Sequence, residues 1–286
     1  MSDWIPGAVR EWCISTGYGD IVTSRSVGGG CINNGAVLNT VSGVSFFLKT
    51  NQGTATDMFA REAEGLNTLR VPGGPRLPIP YLSDTNFILL EDLSPAERKP
   101  DYWTTFGRQL AIVHSHTDQS FGFTHNNYIG STPQPNLWTE DGHTFFGEHR
   151  LWYQARLARR QGLLSEDIIK RVERLCIQLP DLVPEQPASL IHGDLWSGNA
   201  ITGSEGEPAI IDPAVHYGWA EADLAMTDLF GIFPSEFYQA YVEARPLEEG
   251  FRDRFPLYNL YHLLNHLNIF GGSYLGQVLS VLQKFT

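Results

Sequence analysis

Cysteine is scarce in this chain. Only Cys13, Cys31 and Cys176 occur in 286 residues. They lie far apart and show no paired Cys/His ligand spacing, which fits a reducing, cytoplasmic setting and gives no sequence sign of a metal site built on thiolates. Apolar runs of the length a membrane-spanning helix needs are also missing. The segment from Met1 to Arg10 has neither the basic start nor the apolar core of a secretory signal. Positive charge is short as well: 20 Lys and Arg stand against 32 Asp and Glu, a formal net charge of −12. That balance argues against nucleic acid or an anionic membrane as a partner. Internal repeats and low-complexity stretches are absent. What is present is an ordinary globular composition, 42% hydrophobic, with enough core for one large or two modest domains.

The texture of the chain changes near residue 94. Before it, a short helix over 7–16 precedes a strand at 21–27, two strands at 36–41 and 44–50 around a Ser42-Gly43 turn, and a helix over 57–70 with Phe59, Ala63, Leu66 and Leu69 on its apolar stripe. A Pro-rich stretch and a strand at 87–90 follow, then Ser94-Pro95 as a hinge. After it, helical patterns dominate at 102–117, 143–161, 166–179, 224–244, 255–270 and 275–285, with 126–136 reading as a long loop. A β-rich lobe over 1–93 and a mainly helical lobe over 94–286 make a two-lobed α+β architecture.

The strongest chemical signal is His192-Gly193-Asp194-Leu195-Trp196-Ser197-Gly198-Asn199, followed by the apolar Ala209-Ile210-Ile211 and Asp212. A carboxylate, an amide five positions on and a second carboxylate after a strand are the parts phosphoryl transfer requires: a base for the acceptor hydroxyl and ligands for Mg²⁺ on the nucleotide phosphates. Asp194 suits the base, and Asn199 and Asp212 suit the metal. Protein kinases share the Asp-x-x-x-x-Asn spacing; Gly193 in place of their Arg points to a small-molecule acceptor. Upstream, Lys49 ends an apolar strand, where it can reach phosphates, and Glu62 on the next helix can orient it. As an isolated pair they would read as solvated surface residues; their order ahead of the catalytic cluster gives them the phosphate role. Gly28-Gly29-Gly30 can either cover phosphates with backbone N–H groups or simply form a turn. Cys31 beside them reads as a small buried residue or an oxidation-sensitive thiol. Trp196 is either packed or stacked on a substrate. Asp223 opens a helix, where it can cap free N–H groups and brace the catalytic loop. His262 and His266 share a helix face at i, i+4, without the Glu a zinc motif would place beside them, and read as packing or substrate contacts.

These motifs, with Met-Phe-x-x-Glu-Ala at 58–63, Asn-Tyr-Ile-Gly at 127–130, Pro-Gln-Pro-Asn at 133–136, Asp-Pro-Ala-Val at 212–215, Glu-Ala-Asp-Leu-Ala-Met-Thr at 221–227 and His-Leu-Asn-Ile-Phe-Gly-Gly-Ser-Tyr at 266–274, resemble the fructosamine kinase (ketosamine-3-kinase) family, relatives of the aminoglycoside and choline kinases. The resemblance implies a protein-kinase-like fold and ATP- and Mg²⁺-dependent phosphorylation of the 3-hydroxyl of a ketosamine, whose unstable product releases the original amine. It implies Asp194 as base, Asn199 and Asp212 as metal ligands, Lys49 and Glu62 as the phosphate-binding pair, Gly28 to Ile32 as the nucleotide loop and Glu91, Asp92 and Leu93 as the adenine-contacting hinge. On that reading Trp196 or Trp219 offers a face to the sugar, Glu221 meets the protonated amine, and His266 joins the substrate contacts. The acceptor is then a small ketosamine or a glycated protein amine, with another amine-bearing alcohol as the alternative and a catalytically inactive binding module as a third reading. His216-Tyr217-Gly218-Trp219, expected to face the sugar, departs in part from the family pattern. The sequence dictates neither monomer nor dimer.

Overall fold

The structure, a computed structural model, describes residues 4–28, 34–53 and 55–286. Gly29, Gly30, Cys31 and Ile32 of the expected nucleotide loop therefore lie outside the described residues.

The chain opens with helix α1 (Gly7–Ser15) and strands β1 (Ile21–Val27), β2 (Asn34–Thr40) and β3 (Ser45–Thr50). Helix α2 (Met58–Thr68) and strands β4 (Pro80–Asp84) and β5 (Phe87–Glu91) complete one five-stranded antiparallel sheet, ordered β1-β2-β3-β5-β4. Alternation along β5 decides what each face covers, because successive side chains point to opposite sides. Phe87 and Leu89 join Val9, Cys13, Leu38 and Phe46 in a small core under α1. Ile88 and Leu90 join Phe59, Leu66 and Leu69 of the α2 region in the large core that continues into the rest of the molecule.

The remainder is mostly helical: α3 (Tyr102–His114), α4 (Gly142–Phe146), a π-helical turn (Gly147–Trp152), α5 (Tyr153–Arg160), α6 (Glu166–Leu182), α7 (Ala220–Leu229), α8 (Ser235–Ala244), α9 (Phe251–Phe270) and α10 (Leu275–Phe285). Between the helices lie a three-stranded sheet of β12 (His216–Gly218), β9 (Ala188–Ile191) and β6 (Thr117–Asp118), and two hairpins, β7–β8 (Asn127–Ile129 and Thr132–Gln134) and β10–β11 (Ala200–Thr202 and Pro208–Ile210). Helices α3 and α8 cross closely because residue 107 is glycine: a Cβ there would meet the Phe237 carbonyl oxygen at 2.2 Å.

Three local expectations change. The helix expected over 224–244 is two helices, interrupted where Gly231 takes φ 109° and Pro234 ends an extended connection. The helix over 143–161 carries a π-helical turn in its middle. The loop over 126–136 contains the β7–β8 hairpin. Among the described residues, no helix is long and apolar enough to cross a membrane.

Candidate active site

Strand β9 runs straight into the segment His192–Asn199, and the β10–β11 hairpin begins just after Asn199 and ends just before Asp212. Antiparallel pairing of that hairpin, closed by the Ile211 N–H donating to the Asn199 carbonyl at 3.1 Å, brings Asn199 and Asp212 back together. Asn199 Nδ2 donates to the Asp194 carbonyl at 2.8 Å and to Asp194 Oδ2 at 3.3 Å, leaving its Oδ1 as the atom for a cation. Asp212 adopts φ 59°, an uncommon backbone for a residue with a side chain and a mark of a position held by its surroundings.

The backbone at Gly193 explains why no arginine stands beside Asp194. It sits at φ 81°, and a Cβ there would lie 2.2 Å from the Ala214 carbonyl oxygen. Asp223, fully buried on α7, accepts from the backbone N–H of His192 at 2.6 Å and of Gly193 at 2.7 Å. His114 Nε2 donates to the same carboxylate at 3.2 Å, and Tyr241 donates to His114 Nδ1 at 2.8 Å. Burial alone would raise Asp223, but the bonds from His114 and the Gly193 amide outweigh it and hold the carboxylate below its ordinary range. Asp223 thus braces the catalytic loop rather than capping a helix. His192 accepts from the Asp194 N–H at Nδ1 and donates from Nε2 to the Ile211 carbonyl, which fixes it as a neutral tautomer. Burial, with the nearby Asp212 and Asp223 carboxylates, pushes Asp194 itself up to about 7.

Lys49 Nζ lies between two carboxylates, donating to Glu62 Oε1 at 2.6 Å and to Asp212 Oδ1. Burial opposes its charge, yet Asp212 and Glu62 outweigh that and hold the ammonium above its ordinary value. The lysine strand, the α2 helix and Asp212 are therefore joined at one point. Two oxygen donors, Asn199 Oδ1 and the Asp212 carboxylate, suit Mg²⁺, which takes few protein ligands and leaves positions for phosphate and water. Among the described residues no cluster of three or more His, Cys, Asp or Glu forms a separate metal cage.

The structure also places the remaining expected residues. Gly28 is exposed at the end of β1. Glu91, Asp92 and Leu93 form the link between lobes with their side chains engaged internally: Glu91 pairs with Arg76, Asp92 accepts from Ser45 Oγ at 2.7 Å and from Ser94, and Leu93 is buried. The Glu91 N–H is taken as well, donating to the Ile79 carbonyl at 2.8 Å. Trp196 is half-buried, its ring lying over Gly198 and edge-on to Phe230 at 6.3 Å. Phe230 in turn meets His266 at 4.7 Å, and His266 meets Tyr274 at 5.0 Å. These four rings form a half-buried aromatic row running from the catalytic loop to the C-terminal helices. Phe230 was not singled out in the sequence, because nothing in its local pattern separates it from core aromatics, and Tyr274 stood out only as the end of the 266–274 motif.

Two acceptor candidates are corrected. Trp219 is 3% exposed and wedged among Phe121, His143, Phe146 and Tyr258. It offers no free face to a sugar. Glu221 is 1% exposed, with both oxygens held by Arg254 (2.7 and 2.8 Å) and one of them also by Tyr258 at 2.8 Å. Its charge is neutralised inside the fold and cannot meet an amine. The segment 216–219 likewise lies behind the catalytic loop: His216 and Tyr217 pair with β9 in the three-stranded sheet, and the His216 ring packs against Gly193.

The fructosamine kinase family profile matches residues 9–286. A protein of Synechocystis sp. assigned as a ketoamine kinase is 43% identical over 270 residues, covering 91% of this chain and 89% of its own. A chloroplastic protein-ribulosamine 3-kinase of Oryza sativa subsp. indica is 38% identical over 287 residues, covering 97% and 83%. A crystal structure from Thermobifida fusca assigned as a fructosamine-3-kinase superposes with a TM-score of 0.88 at 30% identity, covering 98% of each chain. The choline kinase LicA of Streptococcus pneumoniae shares the fold, with a TM-score of 0.63 at 13% identity over 97% of this chain and 98% of its own.

Proposed function

The chain belongs to the fructosamine kinase family, and from that membership we propose that it transfers the γ-phosphoryl group of ATP to the 3-hydroxyl of a ketosamine, carried on a small amine or on a glycated protein amine. The observation that carries this reading is the convergence of Asp194, Asn199, Asp212 and the Lys49–Glu62 pair at one point between the lobes. Residues 1–93 act as the nucleotide-binding lobe, with the glycine loop from Gly28 over the phosphates and the backbone of Glu91 to Leu93 against the base. Residues 94–286 supply the catalytic loop and the acceptor site.

The geometry supports a division of labour. Lys49, held cationic and aimed by Glu62, binds phosphate oxygens. Asn199 Oδ1 and the Asp212 carboxylate hold Mg²⁺, which when bound neutralises charge on the transferring group. Asp194, pushed up to about 7, is matched to accept the proton of the acceptor hydroxyl near neutral pH. The phosphoryl group leaves the nucleotide for that oxygen. Trp196 and His266, with Phe230 and Tyr274 between and beside them, offer a row of rings for the sugar and its protonated amine. The excess of acidic residues favours such a cationic acceptor over an anionic one. The phosphorylated product is unstable and releases the free amine, making the activity one of deglycation; the scarcity and wide spacing of the cysteines fit a reducing, cytoplasmic setting.

ADP formation from Mg²⁺-ATP with a fructosamine and a ribulosamine of one simple amine, measured beside Asp194→Ala, tests the reading. Turnover with either acceptor, abolished in the variant, supports it and ranks the sugars. Turnover with neither, despite nucleotide binding, contradicts it.

A further inference from the structure

Asn-Tyr-Ile-Gly at 127–130 and Pro-Gln-Pro-Asn at 133–136 are among the most distinctive stretches of the sequence, yet neither touches the reacting groups. They build the β7–β8 hairpin, and we infer that this hairpin is a strap that positions Glu62 and Asp212 about Lys49, with Tyr128 and His125 as positioning residues. The inference rests on the phosphotransferase reading above.

The inner side of the hairpin grips the chain just after Asp212. Asn127 Nδ2 donates to the Val215 carbonyl at 2.8 Å and Gln134 Nε2 to the Ala214 carbonyl at 3.1 Å. Those amides are themselves fixed: Gln134 Nε2 donates to Asn127 Oδ1 at 2.7 Å, and Tyr261 donates to Gln134 Oε1 at 2.6 Å. Asn136 is held by Arg150 at 2.7 Å and donates in turn to Asn127 Oδ1. Every one of these side chains is buried, so the network is a rigid footing.

The outer side reaches across to α2. Tyr128, adjacent to Asn127 and so pointing the opposite way along the strand, donates from its hydroxyl to Asp57 Oδ1 at 2.6 Å, just ahead of α2. His125 Nδ1 donates to Glu64 Oε1 at 2.7 Å. Glu64 lies two residues beyond Glu62 and so points about 200° away around the helix: one face of α2 holds Lys49 while the other is held by the hairpin lead-in. The same helix also presses Gly65 onto the Asp212 segment, where an added Cβ would meet Val215 at 3.1 Å and Pro213 at 3.3 Å. Glu62 and Asp212, the two partners of Lys49, are thus referred to one common element, which fixes their spacing.

The test is a set of variants: Tyr128→Phe, His125→Ala, their combination, and His125→Gln, which keeps a donor for Glu64. The readouts are the Kd of a non-hydrolysable ATP analogue with Mg²⁺, KM for the acceptor, and amide hydrogen exchange. Each lost bond should weaken nucleotide binding by roughly 2- to 10-fold, and the double variant by about their product. Exchange should rise across 58–68 while α9 stays as protected as in the parent, acceptor KM should hold, and His125→Gln should recover most of the loss. Unchanged exchange across 58–68 would overturn the strap, as would a rise spread evenly over the chain or a change confined to acceptor KM. A parent that binds no nucleotide contradicts the phosphotransferase reading instead; exchange across 58–68 then decides the strap alone.

Discussion

Asp194 and Gly193 divide the catalytic loop between chemistry and geometry. Asp194 is half-buried, with its amide held by His192 and its carbonyl held by Asn199, so the carboxyl presents one face to an acceptor. Replacing it with Asn keeps the shape and removes the base; kcat should fall about 10²- to 10⁴-fold while Mg²⁺-nucleotide binding, followed by titration, stays near the parent value. Gly193 has the converse role. Its φ of 81° and the 2.2 Å at which an added Cβ would meet the Ala214 carbonyl oxygen admit no side chain. Gly193→Ala should destabilise the fold by roughly 2 kcal/mol or more, read as a lowered urea midpoint; a midpoint equal to the parent's would show that the loop can shift to accept a methyl group. With Trp196 on the acceptor side, as proposed, Trp196→Ala should raise acceptor KM by about 10-fold or more, leaving nucleotide affinity unchanged in the same titration.

At the level of elements, α7 carries two buried carboxylates with different partners. Asp223 holds the catalytic loop, whereas Glu221 holds α9 through Arg254 and Tyr258. Removing one partner of a buried pair strands the other, at a cost of about 3–5 kcal/mol. Glu221→Gln should therefore lower thermal stability markedly, yet leave acceptor KM unchanged when assayed well below its unfolding transition. A raised KM with parental stability would return Glu221 to the acceptor site. The difference between these two residues was not legible in the sequence. Arg254 lies 33 positions away, and no local pattern announces which carboxylate it will find. Trp219 was obscured in the same way, its burial depending on Phe121, Phe146 and Tyr258 from three separate stretches of the chain. The strand pattern around Lys49, the stripe of α2 and the His192–Asn199 cluster were legible, because each depends on neighbours in the chain. The β7–β8 hairpin read as a loop because its strands are three residues long and carry Pro133 and a Gly130 turn, below the length at which alternation can be seen.

Across the whole molecule, the two lobes meet where α2, the β7–β8 hairpin and the Asp212 segment touch, and the large core runs through that junction without interruption. Its polar content is unusual: His114, His192, His216 and His262 are all buried and all held below the ordinary histidine range, chiefly by burial. Burial takes His262 down to about 3, and its Nδ1 has no hydrogen-bond partner among the described residues. A folded value below the unfolded one means that the unfolded chain binds the proton first, so this stabilisation is complete above pH 6.5 and is lost as pH falls from there toward 3. At pH 5 His262 alone should cost about 2 kcal/mol. Urea unfolding at pH 7.5 and pH 5.0 should show a smaller loss of stability in His262→Gln than in the parent; equal losses would mean that His262 does not titrate on unfolding.

The central claim, transfer of phosphate to the 3-hydroxyl of a ketosamine, is tested most directly by the product. Incubating the chain with Mg²⁺-ATP and a fructosamine of a simple amine, and following the mixture by phosphorus and carbon NMR, should show a phosphate ester at the sugar's third carbon followed by release of the free amine. Phosphate on any other oxygen, or an ester that persists with the amine still attached, would contradict it.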